Sequence, residues 1–327
     1  VAEKLRRELE GPVLRLMDDP RTEDILRNPD RSLWAYVHGD GFVRIGEMSD
    51  EQAMSAVGTV ASCRQTVIDH LHPILETELP LNGARFEAIV PPVTTAPVFV
   101  IRLRPRRIHT LADYQSAGIL TCKDDVLNKS VTSKAGFIQS ARGLDHIQIL
   151  KKAVAERLNI VCVGRCAAGK TTLTNAVLDT IAQMTPDDRV ITIEDTLELQ
   201  CSAANVVDLH AVGNTSMDDC VRASLRLRPT RIVVGEVRGA ECLQLLKSWQ
   251  TGHPGGVATV HGSSVIDGLV YVESLVAEAA DSAAGRNDSQ WPSSAGSDFW
   301  VRDGGFEPAR FNRPRRPGTG LFDGQSR

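Results

Sequence analysis

Several things are scarce in this sequence, and each scarcity closes off a class of function. No apolar run approaches the ~20 residues a helix needs to cross a bilayer, and no charged-then-apolar leader opens the chain. The expected location is therefore the cytoplasm, or at most the inner face of a membrane. A basic surplus is also missing: with a net charge of −4, the chain lacks the excess lysine and arginine of a nucleic-acid binder, and no sequence-specific nucleic-acid contact is expected. The seven cysteines (Cys63, Cys122, Cys162, Cys166, Cys201, Cys220, Cys242) are odd in number and never fall at zinc spacing, which fits reduced thiols. Aromatic residues make up 5% of the chain, and no internal repeat is visible. The first residue, Val1, leaves both a non-standard start and a trimmed chain open.

What is present is an ordinary globular composition, 42% hydrophobic and 24% charged, in 327 residues, enough for two domains with separate cores. The most informative stretch is Gly164-Arg165-Cys166-Ala167-Ala168-Gly169-Lys170-Thr171, which reads G-x-x-x-x-G-K-T. It follows the β-branched run Asn159-Ile160-Val161-Cys162-Val163, and from Thr172 onward apolar residues recur at helical spacing. A chance match in a glycine-containing turn would lack the strand before and the helix after. Backbone amides at such a helix start form an anion site, the lysine reaches the terminal phosphates, and the threonine hydroxyl ligates Mg²⁺. The expected nucleotide-binding set is thus Gly164, Arg165, Cys166, Ala167, Ala168, Gly169, Lys170, Thr171 and Thr172.

Around this loop the chain changes texture. Residues 1–107 read as a small α/β domain: a helix pair broken at Gly11-Pro12, a hairpin around His38-Gly39-Asp40-Gly41, an S-x-x-Q capping box at Ser49 opening a helix to about His70, and strands at 84–90 and 98–103. The basic, proline-containing stretch 104–110 marks a boundary, with residues 108–125 as a linker; it serves either as a solvated connection or as a source of arginines (Arg85, Arg102, Arg104, Arg106) for a phosphate bound across a domain or subunit boundary. Residues 126–280 alternate strands (159–163, 189–193, 205–209, 231–234, 257–260) with helices, the signature of a mostly parallel sheet covered on both faces. Residues 281–327, rich in Ser, Gly, Asp and Arg, read as a poorly ordered tail.

Phosphoryl transfer needs a metal ligand, a group to orient water, and positive charge near the γ-phosphate. Three clusters at expected strand ends supply candidates: Glu194-Asp195-Thr196-Leu197-Glu198; Gly235-Glu236-Val237-Arg238; and Gly252-His253-Pro254-Gly255-Gly256 followed by a strand ending at His261. Taken singly, a carboxylate at a strand end is more often a cap or a surface group. Together, after strands in one α/β region, they point to a site at the carboxyl ends of the sheet. Gly235 stands where many P-loop proteins carry an aspartate, so a second carboxylate, Glu194, must share the work.

These segments, with Leu225-Arg226-Leu227-Arg228-Pro229 and, upstream, His72-Pro73-Ile74-Leu75-Glu76, Leu79-Pro80-Leu81-Asn82-Gly83 and Ala84-Arg85-Phe86-Glu87, closely resemble the Asp box, Walker B and His box of the type II/IV secretion ATPase superfamily, with its TrbB-type conjugal-transfer branch. The resemblance covers most of residues 1–280. It implies an α/β fold, a RecA-like P-loop NTPase domain behind a smaller N-terminal α/β domain, assembled as a homohexamer at conjugation or type IV secretion channel components of the inner membrane. It further implies Glu194 as general base, Glu236 as Mg²⁺ holder beside Thr171, Arg85 and Arg102 approaching the γ-phosphate, and roles for His261 and Arg238 near it, with ATP and Mg²⁺ as ligands. The chain departs from the family in the loop interior, where Arg165, Cys166, Ala167 and Ala168 replace Gly-Thr-Gly-Ser, and after His261; Ala167 lacks glycine's freedom at positive φ. That departure keeps a rival in view, a nucleotide-binding ring subunit with little turnover. A switch GTPase is disfavoured because no N-K-x-D follows the loop.

Overall fold

Two kinds of strand sequence build two kinds of sheet. In the computed structural model, which describes residues 2–104, 110–116, 134–284 and 299–301, the first domain is an antiparallel sheet of β1 (Thr22–Arg27), β2 (Ser32–Val37), β3 (Gly41–Glu47), β4 (Ile74–Glu78), β5 (Arg85–Ile89) and β6 (Val98–Arg102), in the order β3-β2-β1-β6-β5-β4. Helices α1 (Ala2–Glu8), α2 (Pro12–Asp18) and α3 (Asp50–Cys63) pack Leu5, Leu9, Val13 and Val57 against Ile25, Phe86, Phe99 and Ile101. Their neighbours in the strands, Leu26, Ile89, Val98 and Val100, point the other way, into the core of the second domain. The central strands β1, β5 and β6 are therefore buried on both faces, while β3 and β4 are more open.

Three local expectations need correction. The helix α3 stops at Cys63 rather than near His70: Gln65 adopts φ 54, and the amides of Gln65 and Thr66 bond to Ser62 and Ala61 at 3.2 and 3.1 Å, a Schellman closure built on glutamine instead of glycine. The Ser49 cap holds the Gln52 amide at 3.2 Å, but the Gln52 side chain does not return to Ser49; it donates to the Glu8 carbonyl at the end of α1, 2.8 Å away. Strands β1 and β4 were not anticipated. In β1, the buried charges are met from elsewhere: Asp24 pairs with Arg228, and Arg27 with Asp50 and the carbonyls of Met48 and Pro97.

Of the expected linker 108–125, residues 110–116 are described and hold α4 (Leu111–Ser116), opened by reciprocal bonds between Thr110 and Asp113; the remainder, with Arg106, lies outside the described residues. The second domain contains α5 (Lys134–Ala141), α6 (His146–Ala155), β7 (Ile160–Gly164), α7 (Lys170–Met184), β8 (Arg189–Glu194), β9 (Asn205–His210), α8 (Met217–Ser224), β10 (Arg231–Val234), α9 (Glu241–Gln250), β11 (Val257–His261), α10 (Val265–Ala284) and β12 (Phe299–Val301). Its sheet is parallel in every described pair, with the order β12-β7-β11-β10-β8-β9. Both faces are covered, which is why its strands read as unbroken apolar runs. Ile160 and Cys162 meet α6 and α7 through Val154, Val177, Leu178 and Ile181, whereas Val161 and Val163 share a core with Val221, Leu245 and Leu275. Of the expected tail, α10 reaches Ala284 and β12 is described; residues 285–298 and 302–327 lie outside the described residues.

Polar contacts tie the two domains along β9 and the turn before β10. Arg228 pairs with Asp24 and, at 3.0 Å, with Glu23, and its guanidinium sits 3.5 Å over the Tyr36 ring. Arg189, fully buried, donates to Asn28 at 2.6 Å and to the Leu227 carbonyl at 2.8 Å, while Asn28 bonds Asn205 at 2.9 Å. Arg226 pairs with Glu76 at 2.5 Å. At the other end of β9, the His210 amide donates to the Val93 carbonyl at 2.7 Å, and the Ala211 amide to the Glu194 carbonyl at 2.7 Å.

Candidate active site

The parallel order sets the carboxyl ends of β7, β11, β10 and β8 side by side, so Gly164, His261, Gly235-Glu236 and Glu194 converge although they lie far apart in sequence. His261 is in register with Gly164, and Val234 with Ile193. From β7 the chain turns through Arg165 to Gly169, and α7 begins at Lys170 behind Gly169 at φ 84. Gly164 is tightly packed: a Cβ there would sit 3.1 Å from the Ala168 methyl and 3.2 Å from Lys170 Cγ. Ala167 takes φ 58, the left-handed conformation that glycine enters without strain and alanine enters at a cost of about 1–2 kcal/mol.

A cavity of about 500 Å³ opens in front of these strand ends. The loop contributes Cys166, Ala167, Ala168, Gly169, Lys170, Thr171 and Thr172 to its wall; the facing turns contribute Glu194, Asp195, Glu198, Glu236, Arg238 and His261. Gly164 and Arg165 border an adjoining cavity of about 400 Å³ with Ser263 and Ser264. Arg85 and Arg102 line neither; they are cross-strand partners on β5 and β6, both exposed, with Arg102 Nε 4.0 Å from Asp24. Within one chain the structure does not bring them to the loop.

Each polar group in the cavity is held by a neighbour. Lys170 Nζ donates to the Arg165 carbonyl at 3.2 Å and lies 3.4 Å from His261 Nδ1. With Nδ1 facing an ammonium donor, the ring proton belongs on Nε2, which contacts Glu236. Arg238 pairs with Asp195 and approaches Glu236 at 3.7 Å. Glu194 is buried, and its Oε1 accepts the amides of Glu198 at 3.0 Å and Leu199 at 2.9 Å. Burial raises its carboxyl above the ordinary glutamate range, and those two amides oppose the rise.

The geometry also explains Gly235. A Cβ at that position would lie 3.0 Å from Glu194 Cγ and 3.1 Å from its Oε1, so the Glu194 side chain occupies the space over the glycine. Thr259 fixes the same backbone by donating to the Gly235 carbonyl at 2.6 Å. His253, by contrast, bonds the Pro229 carbonyl at 2.9 Å and is structural. Sequence reasoning passed over Glu198 as a site residue. It accepts the Thr171 hydroxyl at 3.0 Å, and its signal was a further carboxylate four residues beyond Glu194.

The donor set fits Mg²⁺ and a nucleotide triphosphate. Among the described residues no cluster of three or more His, Cys, Asp or Glu side chains forms a protein-only metal cage, and Thr171, Glu198 and Glu236 offer hard oxygen donors beside an anion cradle. That is the arrangement suited to an ion that takes one or two protein oxygens and completes its shell with phosphates and water.

Comparison with known proteins places these features in context. Residues 12–284 match the family described as Type II/IV secretion system protein. The probable conjugal transfer protein TrbB of Sinorhizobium fredii is 40% identical over 277 residues, covering 85% of this chain and 78% of that protein. Protein VirB11 of Agrobacterium fabrum is 29% identical over 287 residues, covering 84% and 81%. The crystal structure of the VirB11 ATPase from the Brucella suis type IV secretion system, in complex with sulphate, superimposes with a TM-score of 0.76 at 26% identity, covering 85% of this chain and 82% of that one. The expected α/β architecture, a RecA-like ATPase domain behind a smaller N-terminal domain, is the one observed.

Proposed function

The chain belongs to the type II/IV secretion system protein family, and from that premise we propose that it is an Mg²⁺-dependent ATPase powering conjugal transfer or type IV secretion as a hexameric ring. The observation that carries this reading is the convergence of Lys170, Glu194 and Glu236 on one cavity in front of a phosphate loop. The loop amides and Lys170 would grip the β- and γ-phosphates, and Thr171 and Glu236 would hold the metal, whose chemistry when bound is to neutralise charge on the phosphates. Glu194 takes the proton of a water whose oxygen bonds to the γ-phosphorus as the bond to the ADP oxygen breaks. Its position supports the assignment, because two amides fix Oε1 and leave Oε2 outside both bonds. His261 and Arg238 orient Glu236.

Arg85 and Arg102 stand side by side on the exposed end of β5 and β6, and in a ring they would face the nucleotide of a neighbouring subunit. Among the described residues no helix is long and apolar enough to cross a membrane, which suits a cytoplasmic ring resting on channel components of the inner membrane. Lys170→Ala is expected to abolish nucleotide binding, whereas Glu194→Gln keeps binding and stops phosphate release. Equal loss of binding in both variants counts against Glu194 as the base. The left-handed Ala167 supports the second reading, a ring subunit with little turnover; tight ATP binding by the native chain without steady-state phosphate release would select it.

A further inference from the structure

The hydroxyl of Thr171 has one side-chain partner, Glu198 Oε2 at 3.0 Å. In P-loop enzymes that hydroxyl is a metal ligand, and its environment usually includes an aspartate on the Walker B strand. Here the corresponding position is Gly235, and the space above it is filled by Glu194. Glu236 is engaged by His261 and Arg238, Asp195 by Arg238, and Glu194 by two backbone amides. Among these cavity carboxylates, Glu198 is the one whose side chain accepts the Thr171 hydroxyl, with no ion pair to a basic side chain among the described residues.

This contact is built rather than incidental. The backbone of Glu198 is clamped to α7 by Asn175, whose Nδ2 donates to the Glu198 carbonyl at 3.1 Å and whose Oδ1 accepts the Gln200 amide at 3.0 Å. Asn175 lies four residues beyond Thr171, on the same face of the helix. A second tie runs from the Glu198 amide to Glu194. The turn is thus pinned at both ends with its carboxylate aimed at the first turn of α7.

Resting on the ATPase reading above, we propose that Glu198 is a positioning residue for the metal. By accepting the Thr171 hydrogen bond it directs the lone pairs of that oxygen into the cavity, the task an aspartate at position 235 performs in other P-loop proteins. Glu198 acts through Thr171, and the phosphates are gripped without it.

The test is a fluorescence titration of the full chain with a fluorescent ADP analogue, in Mg²⁺ and in EDTA, paired with binding of Mn²⁺ to the ADP complex followed by electron paramagnetic resonance. Glu198→Ala is expected to leave the EDTA affinity unchanged and to lower both the Mg²⁺-dependent gain and Mn²⁺ affinity about tenfold, as loss of an outer-sphere partner of a metal ligand does. Thr171→Val should lose the same gain, and the double variant should lose little more. Glu198→Gln, whose amide oxygen still accepts the hydroxyl, should keep most of it. An unchanged Mg²⁺ gain in Glu198→Ala overturns the proposal, as does equal weakening in Mg²⁺ and EDTA, which would mark a role in folding the turn. A native chain that binds no nucleotide in either condition instead removes the ATPase reading itself.

Discussion

Replacing Gly235 by alanine adds one methyl group, placed 3.0 Å from Glu194 Cγ and 3.1 Å from Glu194 Oε1. Both distances are tighter than an ordinary contact, so a neighbour must give by a few tenths of an ångström. The methyl sits on a strand end whose carbonyl is held by Thr259 at 2.6 Å, leaving the Glu194 side chain as the part that moves. Moving it stretches the amide bonds at 3.0 and 2.9 Å to Oε1, and overpacking costs about 1–3 kcal/mol. The phosphate grip lies on β7 and α7 and is untouched. Since a misplacement of about 1 Å in a reacting group can cost about 100-fold, and the shift here is smaller, Gly235→Ala should bind ATP within about threefold of the native chain while kcat falls about tenfold. An aspartate at 235 should do no better, because its Cβ meets the same obstacle before its carboxylate reaches anything. Calorimetric ATP affinity measured beside phosphate release decides the matter. Native turnover in Gly235→Ala would refute the placement of Glu194 as the base.

Other outcomes follow from buried charges in the first domain and from a thiol at the cavity. Glu87 is buried with neither carboxylate oxygen bonded, and burial, with Glu76 adding and Arg226 opposing, pushes its carboxyl up to about 9. Because the folded value exceeds the unfolded one, its contribution to stability is complete below the unfolded value of about 4.3 and is lost as pH rises through about 9; Glu87→Gln should therefore flatten the alkaline decline in Tm seen by calorimetry across that window. Arg228→Ala leaves the buried Asp24 with only the longer contact to Arg102 at 4.0 Å, and chemical denaturation should show about 3 kcal/mol lost, with Asp24→Asn in the same background recovering part of it. Cys166 is exposed on the cavity wall, so alkylation there should block nucleotide binding and ATP should protect the thiol; peptide mapping by mass spectrometry checks this, and absence of protection would place Cys166 outside the cradle.

The phosphate loop could be read from sequence because its signal is contiguous: an apolar strand, glycines at fixed spacing, a lysine and a helix within a single stretch. The convergence of Glu194 and Glu236 is a different kind of property. It depends on β10 lying next to β8, which crossover connections decide and no local pattern records. Gly235 was a puzzle for the same reason, since the side chain that requires a glycine there comes from the neighbouring strand. Strand β1 carries no such local signal, because the partners of Glu23, Asp24 and Arg27, Arg228 among them, are supplied by distant segments. The end of α3 was overrun because the left-handed residue that closes it is Gln65, which carries no such signal.

The hydrogen bond between His210 and Val93 has a mechanical corollary. His210 also reaches the Asp195 carbonyl through Nε2 at 3.1 Å, and the next amide, Ala211, is bonded to Glu194. The segment bearing Glu194 is thereby coupled through His210 to the first domain, with no slack chain between them. A displacement of that segment would be felt directly at the loop after β5, where the Val93 carbonyl receives the His210 amide.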